Sequence, residues 1–186
     1  MNPPPIIAAN IEQFTGRIWL LPKVLEWYER TDERILLVTG GPGTGKSMIM
    51  AWLAGFGPLP DDATARQQLT RIRSEIKATH FCVAASGSTA PKALAGNLAE
   101  QLTRKVPGFA DALAESLAEL VTIKTIQEAE TLEAGASMTG VQIGTLNLAG
   151  LGEELSFNRT LREPLQILYK NGFSERLLLL VDALDE

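Results

Sequence analysis

Apolar residues recur along this chain in two patterns, and each pattern predicts a different kind of element. Short, mostly apolar runs at residues 34–39, 79–85 and 177–181 predict buried strands, because a strand covered on both faces is apolar throughout. Strands that alternate with helices predict an α/β fold, in which a parallel sheet carries helices on both faces. Apolar residues spaced three or four positions apart predict those helices at residues 18–30, 48–54, 91–105, 109–120 and 153–170.

The helical patterns also predict which side chains pack inside. Leu69, Ile72 and Ile76 share one face of a further helix, which leaves three arginines elsewhere around it. A solvated surface is a more common role for such arginines than a phosphate contact. The three are Arg66, Arg71 and Arg73. In the helix at 18–30, the predicted packing residues are Trp19, Val24, Trp27 and Tyr28.

Proline and glycine mark the other boundaries. Residues 1–13 contain three consecutive prolines and predict an extended lead-in, so residues 14–186 form the domain. The glycine-rich segment 135–152 predicts two short strands with a break near Gly144, and Pro164 interrupts the helix at 153–170. The sequence shows no internal period of the length that repeat proteins have.

A glycine-rich turn lies between the first predicted strand and the helix after it. Its eight residues, GGPGTGKS, match the phosphate-loop pattern G-x-x-x-x-G-K-[ST] in the strand–turn–helix context that the pattern requires. Glycine lets the backbone fold around an anion, so loop amides and the first helical amides can bind phosphates. Lys46 supplies a positive charge to the β- and γ-phosphates, and Ser47 supplies a hydroxyl oxygen to Mg²⁺. The other loop residues are Gly40, Gly41, Pro42, Gly43, Thr44 and Gly45.

A second candidate site follows the last predicted strand. Asp182 ends the apolar run at the carboxyl edge of the sheet, where α/β proteins bind ligands, so it is a candidate to hold Mg²⁺. Hydrolysis also needs a group that orients or deprotonates water; Glu186 is the candidate, and Asp185 would support the metal site. In an alternative register, Asp185 and Glu186 form the acidic pair themselves. That register is disfavoured because it puts Asp182 inside the buried run.

With both motifs present, the chain resembles P-loop ATPases of the NACHT or STAND type, which are related to AAA+ proteins. The terminal Val181-Asp182-Ala183-Leu184-Asp185-Glu186 is similar to the acidic pattern of NACHT domains. Upstream, Gly16 and Arg17 resemble the Gly-Arg box, which in the family helps to enclose the adenine side of the nucleotide. Residues 139–148 and 162–165 are similar to bacterial STAND ATPases with WD-type repeats, and the resemblance extends over nearly the whole chain.

This resemblance implies a three-layer P-loop NTPase fold that binds ATP and Mg²⁺, with a sheet left incomplete because the sensor strand and later domains would lie beyond Glu186. It also implies a signalling switch that ADP holds closed. Exchange for ATP would promote homo-oligomerisation, and the full-length parent would hydrolyse ATP to ADP. The sequence lacks the guanine-reading Asn-Lys-x-Asp motif, which favours ATP over GTP. Two alternatives stay open: a small-molecule phosphotransferase that uses the three arginines, and a non-catalytic nucleotide-binding fragment.

Composition narrows these hypotheses only slightly. The 186 residues carry a formal charge of −5, which provides no basic field for nucleic acid. Cys82 and His80 are the single cysteine and histidine, and both fall in a predicted strand, so we expect them to be structural, without disulfide or zinc chemistry. The sequence has neither an apolar run of membrane-spanning length nor a signal peptide, so a cytoplasmic location is expected.

Overall fold

The chain forms two compact units. The computed structural model describes residues 3–14, 17–29, 33–83, 87–128 and 152–182. The first unit comprises residues 1–88 with 177–186, and the second comprises residues 89–176. Residues 14–186, predicted as one domain, are thus divided between the two units.

In its described residues, the first unit contains four helices, a 3-10 turn and two strands. Helix α4 begins where Asp62 accepts a hydrogen bond from the Ala65 amide at 2.7 Å, and it runs directly into β1. The helices are α1 (Pro5–Ala8), α2 (Leu20–Glu29), α3 (Lys46–Leu53) and α4 (Ala63–Glu75), the turn is Ile11–Gln13, and the strands are β1 (Ile76–Phe81) and β2 (Leu178–Asp182).

The two strands of the first unit form a parallel sheet. Their register runs from Ile76 opposite Leu178 to Phe81 opposite Asp182, with an irregularity between Ile76 and Ala78. The Cys82 amide extends the pairing by donating to the Asp182 carbonyl at 3.2 Å. This parallel pairing confirms the α/β character expected from the sequence, although β1 begins three residues before the predicted run.

The strand predicted at residues 34–39 is not formed. Residues 33–40 carry no strand assignment, and the side chains of Ile35, Leu36 and Leu37 are 83%, 37% and 75% exposed. A strand exists only when its backbone groups pair with a neighbouring strand. Within the described residues, β1 and β2 pair only with each other, so this apolar segment lacks the partner that its composition suits.

An apolar core joins the helices of the first unit to its sheet. Leu21 on α2 and Leu69 on α4 are fully buried, Trp52 on α3 is nearly so, and Phe81 and Leu180 extend the cluster to the strands. Helix α3 lies against β2, and α2 lies against α4. The prediction that Trp19 packs inside is wrong, because it lies in the turn before α2 and is 56% exposed.

The second unit is helical in its described residues. Helix α5 begins at Pro91, as predicted, and buries Ala95, Leu98 and Leu102, while α6 buries Phe109 and Leu113. Neither these helices nor any other in the described ranges is both long and apolar enough to cross a membrane. The predicted strands at 135–152 fall almost entirely outside the described residues. The helices are α5 (Pro91–Lys105), α6 (Phe109–Glu128), α7 (Glu153–Phe157) and α8 (Glu163–Lys170).

A π-helical segment, Asn158–Arg162, connects α7 to α8. The amide of Glu163 donates to the carbonyl of Asn158, five residues earlier, in place of the usual four. Pro164 accounts for the wide turn: it has no amide hydrogen for the carbonyl of Thr160, and its ring would collide with that carbonyl in a regular helix. The interruption predicted at Pro164 is therefore a change of helical pitch in the turn before it.

Candidate functional site

The phosphate loop, residues 40–47, turns sharply before α3. Gly43 and Gly45 have φ values of +73° and +85°, a region that side chains with a Cβ disfavour. Gly45 is also the N-cap of α3, and its position provides no side-chain hydrogen bond to the helix. The first amides of α3 therefore lack a side-chain acceptor at the N-cap, such as the one that Asp62 provides for α4.

Three side chains tie the phosphate loop to itself and to the segment before α2. The Lys46 ammonium donates to the carbonyls of Gly40 at 2.8 Å and Gly41 at 3.3 Å. The Thr44 hydroxyl also donates to the Gly41 carbonyl, at 2.8 Å. Arg17 reaches the loop from outside, where its Nη2 donates to the Thr44 carbonyl at 3.2 Å. Arg17 and the loop, which were predicted separately, thus lie in contact.

The elements that carry Ser47 and Asp182 are neighbours. Ser47 is half-buried in the first turn of α3, and Asp182, 6% exposed, is the last residue of β2. Because α3 lies against β2, the structure brings together the helix and the strand that bear the two predicted magnesium ligands. Both supply oxygen, which Mg²⁺ prefers.

The C-terminal end of α3 is held by a half-buried cation. Arg73 on α4 donates from Nε and Nη2 to the Trp52 carbonyl at 3.2 and 2.8 Å, and from Nη2 to the Gly57 carbonyl at 2.9 Å. Desolvation by burial lowers the pKa of Arg73 from its ordinary value. The apolar pattern of α4 predicted that Arg73 lies away from the packed face, yet its position four residues after the buried Leu69 is a signal that it lies on that face.

The other two arginines of α4 also have protein partners. Arg71 pairs with Glu29 at 2.8 Å on an exposed surface, and Arg66 Nε donates to the Pro60 carbonyl at 3.0 Å. Both contacts agree with the predicted solvated helix surface. An open depression of about 570 Å³ lies along this face of α4, lined by Ala63, Arg66, Gln67, Thr70, Arg71 and Ser74.

The single histidine and cysteine are both buried, and burial was predicted for Cys82. His80 on β1 is fully buried, with Nε2 2.8 Å from the carbonyl of Ser88. Cys82 is buried as well. Over the described ranges, His, Cys, Asp and Glu form no group of three or more that could bind a metal. Gly16, Asp185 and Glu186 lie outside those ranges.

One family model matches this chain, that of Nephrocystin 3, N-terminal, and it matches residues 16–141, which is more than half of the 186 residues. The chain belongs to the Nephrocystin 3 N-terminal family. That region is NACHT/STAND-like, which agrees in part with the resemblance in the sequence. No curated protein and no solved structure matches the chain.

The Nephrocystin 3 N-terminal match covers some of the candidate residues and not others. It begins at Gly16 and includes Arg17 and the entire phosphate loop. It ends at residue 141, so it does not reach Asp182. The acidic side of the site therefore depends on the terminal motif and on the position of β2 beside α3.

Proposed function

We propose that this chain is the ATP- and Mg²⁺-binding module of a STAND-type signalling switch, and that the full-length parent hydrolyses ATP to ADP. The main support is the N-terminus of α3, which begins at a glycine without a side-chain cap and follows a loop in which Gly43 and Gly45 have positive φ. An anion is the natural acceptor for such amides. Lys46 lies in the same turn and adds the full positive charge that phosphates require.

Each candidate residue has a role in this proposal. The amides of the phosphate loop surround the phosphates, Lys46 neutralises the β- and γ-phosphates, and Ser47 and Asp182 hold Mg²⁺. When bound, Mg²⁺ neutralises part of the charge on the phosphate oxygens. Asp185 supports the metal and Glu186 polarises the attacking water. Gly16 and Arg17 lie on the adenine side.

The switch depends on contacts that ATP makes and ADP does not. Only ATP has a γ-phosphate for Lys46 and the acidic edge, so ATP shifts the population toward the state that makes these contacts. The hydrogen bond from Arg17 to the Thr44 carbonyl links the loop to the segment before α2. A change in the loop when the phosphates bind is therefore transmitted to that segment. We propose that the ATP state forms homo-oligomers, and that the protein acts in the cytoplasm.

Replacing Lys46 tests the binding proposal. In a calorimetric titration with Mg-ATP, Lys46→Ala should weaken binding by about 100-fold or more, because the phosphates lose their charged side-chain partner, a loss of roughly 3 kcal/mol. In the full-length parent, release of inorganic phosphate should fall with it. Lys105→Ala, which removes an exposed lysine from the end of α5, is the matched control and should bind as the wild type does. Equal affinities in the two variants would refute the proposal.

A further inference from the structure

The Gly41 carbonyl is the acceptor on which the phosphate loop closes. Three donors point to it: the Thr44 hydroxyl at 2.8 Å, the Lys46 ammonium at 3.3 Å and the Thr44 amide at 3.4 Å. The hydroxyl contact is the shortest of the three. The side chain of Thr44 therefore closes the turn from Gly41 to Thr44 more tightly than the backbone does.

The same hydroxyl explains why residue 40 is glycine. A Cβ built on Gly40 would lie 2.8 Å from Thr44 Oγ1, closer than real Cβ contacts come, and 3.6 Å from Thr44 Cβ, which is an ordinary contact. Gly40 is not among the glycines of positive φ, so its backbone conformation does not itself require glycine. The restriction at residue 40 thus comes from one oxygen atom of Thr44.

From these contacts we propose that Thr44 is a positioning residue of the phosphate loop. Its hydroxyl holds the Gly41–Thr44 turn in the shape that directs the loop amides to the phosphates, and this contact excludes any side chain at residue 40. The inference rests on the proposed nucleotide binding and deepens it, because it assigns the shape of the loop to one side chain. Arg17 acts on the same residue through the Thr44 carbonyl.

A double-mutant cycle tests the proposal. Thr44→Ala should weaken Mg-ATP binding about three- to fivefold, the worth of one hydrogen bond between neutral groups, while Thr44→Ser should restore it. Gly40→Ala should cost about tenfold in the Thr44 protein but about threefold or less once Thr44→Ala has removed the oxygen. Thermal melting of each variant checks that the fold is intact.

Hydrogen exchange of the ligand-free protein gives a second measurement that needs no nucleotide. Exchange at the Thr44 amide should accelerate in Thr44→Ala, and Gly40→Ala should accelerate it only when Thr44 is present. Gly41→Ala is the matched control for this measurement: a Cβ on Gly41 meets nothing within 4 Å, so exchange at Thr44 should not change.

The outcomes separate this inference from the proposed function. A wild-type protein that does not bind Mg-ATP would refute the proposed function, and the exchange cycle would still decide the role of Thr44. Equal effects of Gly40→Ala with and without the Thr44 hydroxyl would overturn the inference, as would a Thr44→Ser variant that behaves like Thr44→Ala.

Discussion

The two ends of helix α3 differ in how they are held. At the N-terminal end, the cap is a glycine and the surrounding side chains of the loop are exposed or half-buried. At the C-terminal end, Arg73 binds two carbonyls, and the indole of Trp52, 3% exposed, donates to the Pro58 carbonyl at 2.8 Å. The ring of Phe14 packs on Trp52 with centroids 5.5 Å apart.

This difference predicts separate roles for the two ends of the eight-residue helix α3. The C-terminal end should stabilise the fold, and the N-terminal end should bind the ligand. The buried C-terminal end fixes the position of α3, and the N-terminal end has no side-chain cap, so its first amides can bind the proposed ligand. Substitutions at the C-terminal end should therefore lower the free energy of unfolding, while substitutions at the loop should lower affinity. The following predictions test that separation.

The largest effect on stability is expected at Arg73. Arg73→Met keeps much of the side-chain volume but removes the guanidinium donor from the Trp52 and Gly57 carbonyls, so the free energy of unfolding should fall by about 3 kcal/mol in urea denaturation. Arg71→Met, two residues earlier, removes only an exposed ion pair with Glu29 and should cost less than about 1 kcal/mol. Similar losses in the two variants would contradict the anchoring role of Arg73.

A smaller loss is expected at Trp52. Trp52→Phe removes the hydrogen bond to Pro58 and leaves a small cavity, which should lower the free energy of unfolding by about 2 kcal/mol. Trp27→Phe is the matched control, because the buried Trp27 Nε1 has no hydrogen-bond partner to lose. Mg-ATP affinity of the folded Trp52→Phe protein should stay within about twofold of wild type. A larger change in affinity would show that the two ends of α3 are coupled.

The smallest effect is expected at Ser47 and appears only with metal. Ser47→Ala removes a predicted Mg²⁺ ligand, so ATP affinity should fall about tenfold in Mg²⁺, equivalent to about 1.4 kcal/mol, and should not change when a chelator removes the metal. Ser74→Ala, whose hydroxyl bonds the Arg71 carbonyl on α4, is the control. An equal loss in the chelator would exclude a role for Ser47 at the metal. The melting temperature should not change.

Local sequence patterns predicted most of the elements correctly. The period of the apolar residues and the position of Pro91 located α2, α5 and α6, and the aliphatic run before Asp182 located β2. The apolar period, the proline and the aliphatic run each depend only on residues that are close in sequence, so the elements that they specify can be predicted from the sequence alone. The phosphate-loop motif is likewise continuous in sequence. The match of the Nephrocystin 3 N-terminal family agrees in part with the family resemblance, and nucleotide binding stays a prediction.

The failures concern features that depend on distant partners. Residues 34–39 have the composition of a buried strand, but a strand needs hydrogen-bonded neighbours, and composition does not supply them. Trp19 is apolar and was expected to pack, yet its place in the turn before α2 exposes it. Arg73 was grouped with Arg66 and Arg71; its spacing from Leu69 indicates the packed face, but the carbonyls that it meets there belong to a distant part of the chain, which local spacing does not reveal.

The distribution of tryptophan has a consequence for spectroscopy. The three indoles, Trp19, Trp27 and Trp52, all belong to the first unit, and residues 89–176 contain none. Tryptophan fluorescence therefore reports on the unit that contains the phosphate loop and not on the helical unit. Far-ultraviolet circular dichroism reports both units, and its helical signal includes the long α5 and α6. A difference between the two signals during denaturation measures how independently the units unfold, with no label added to the protein.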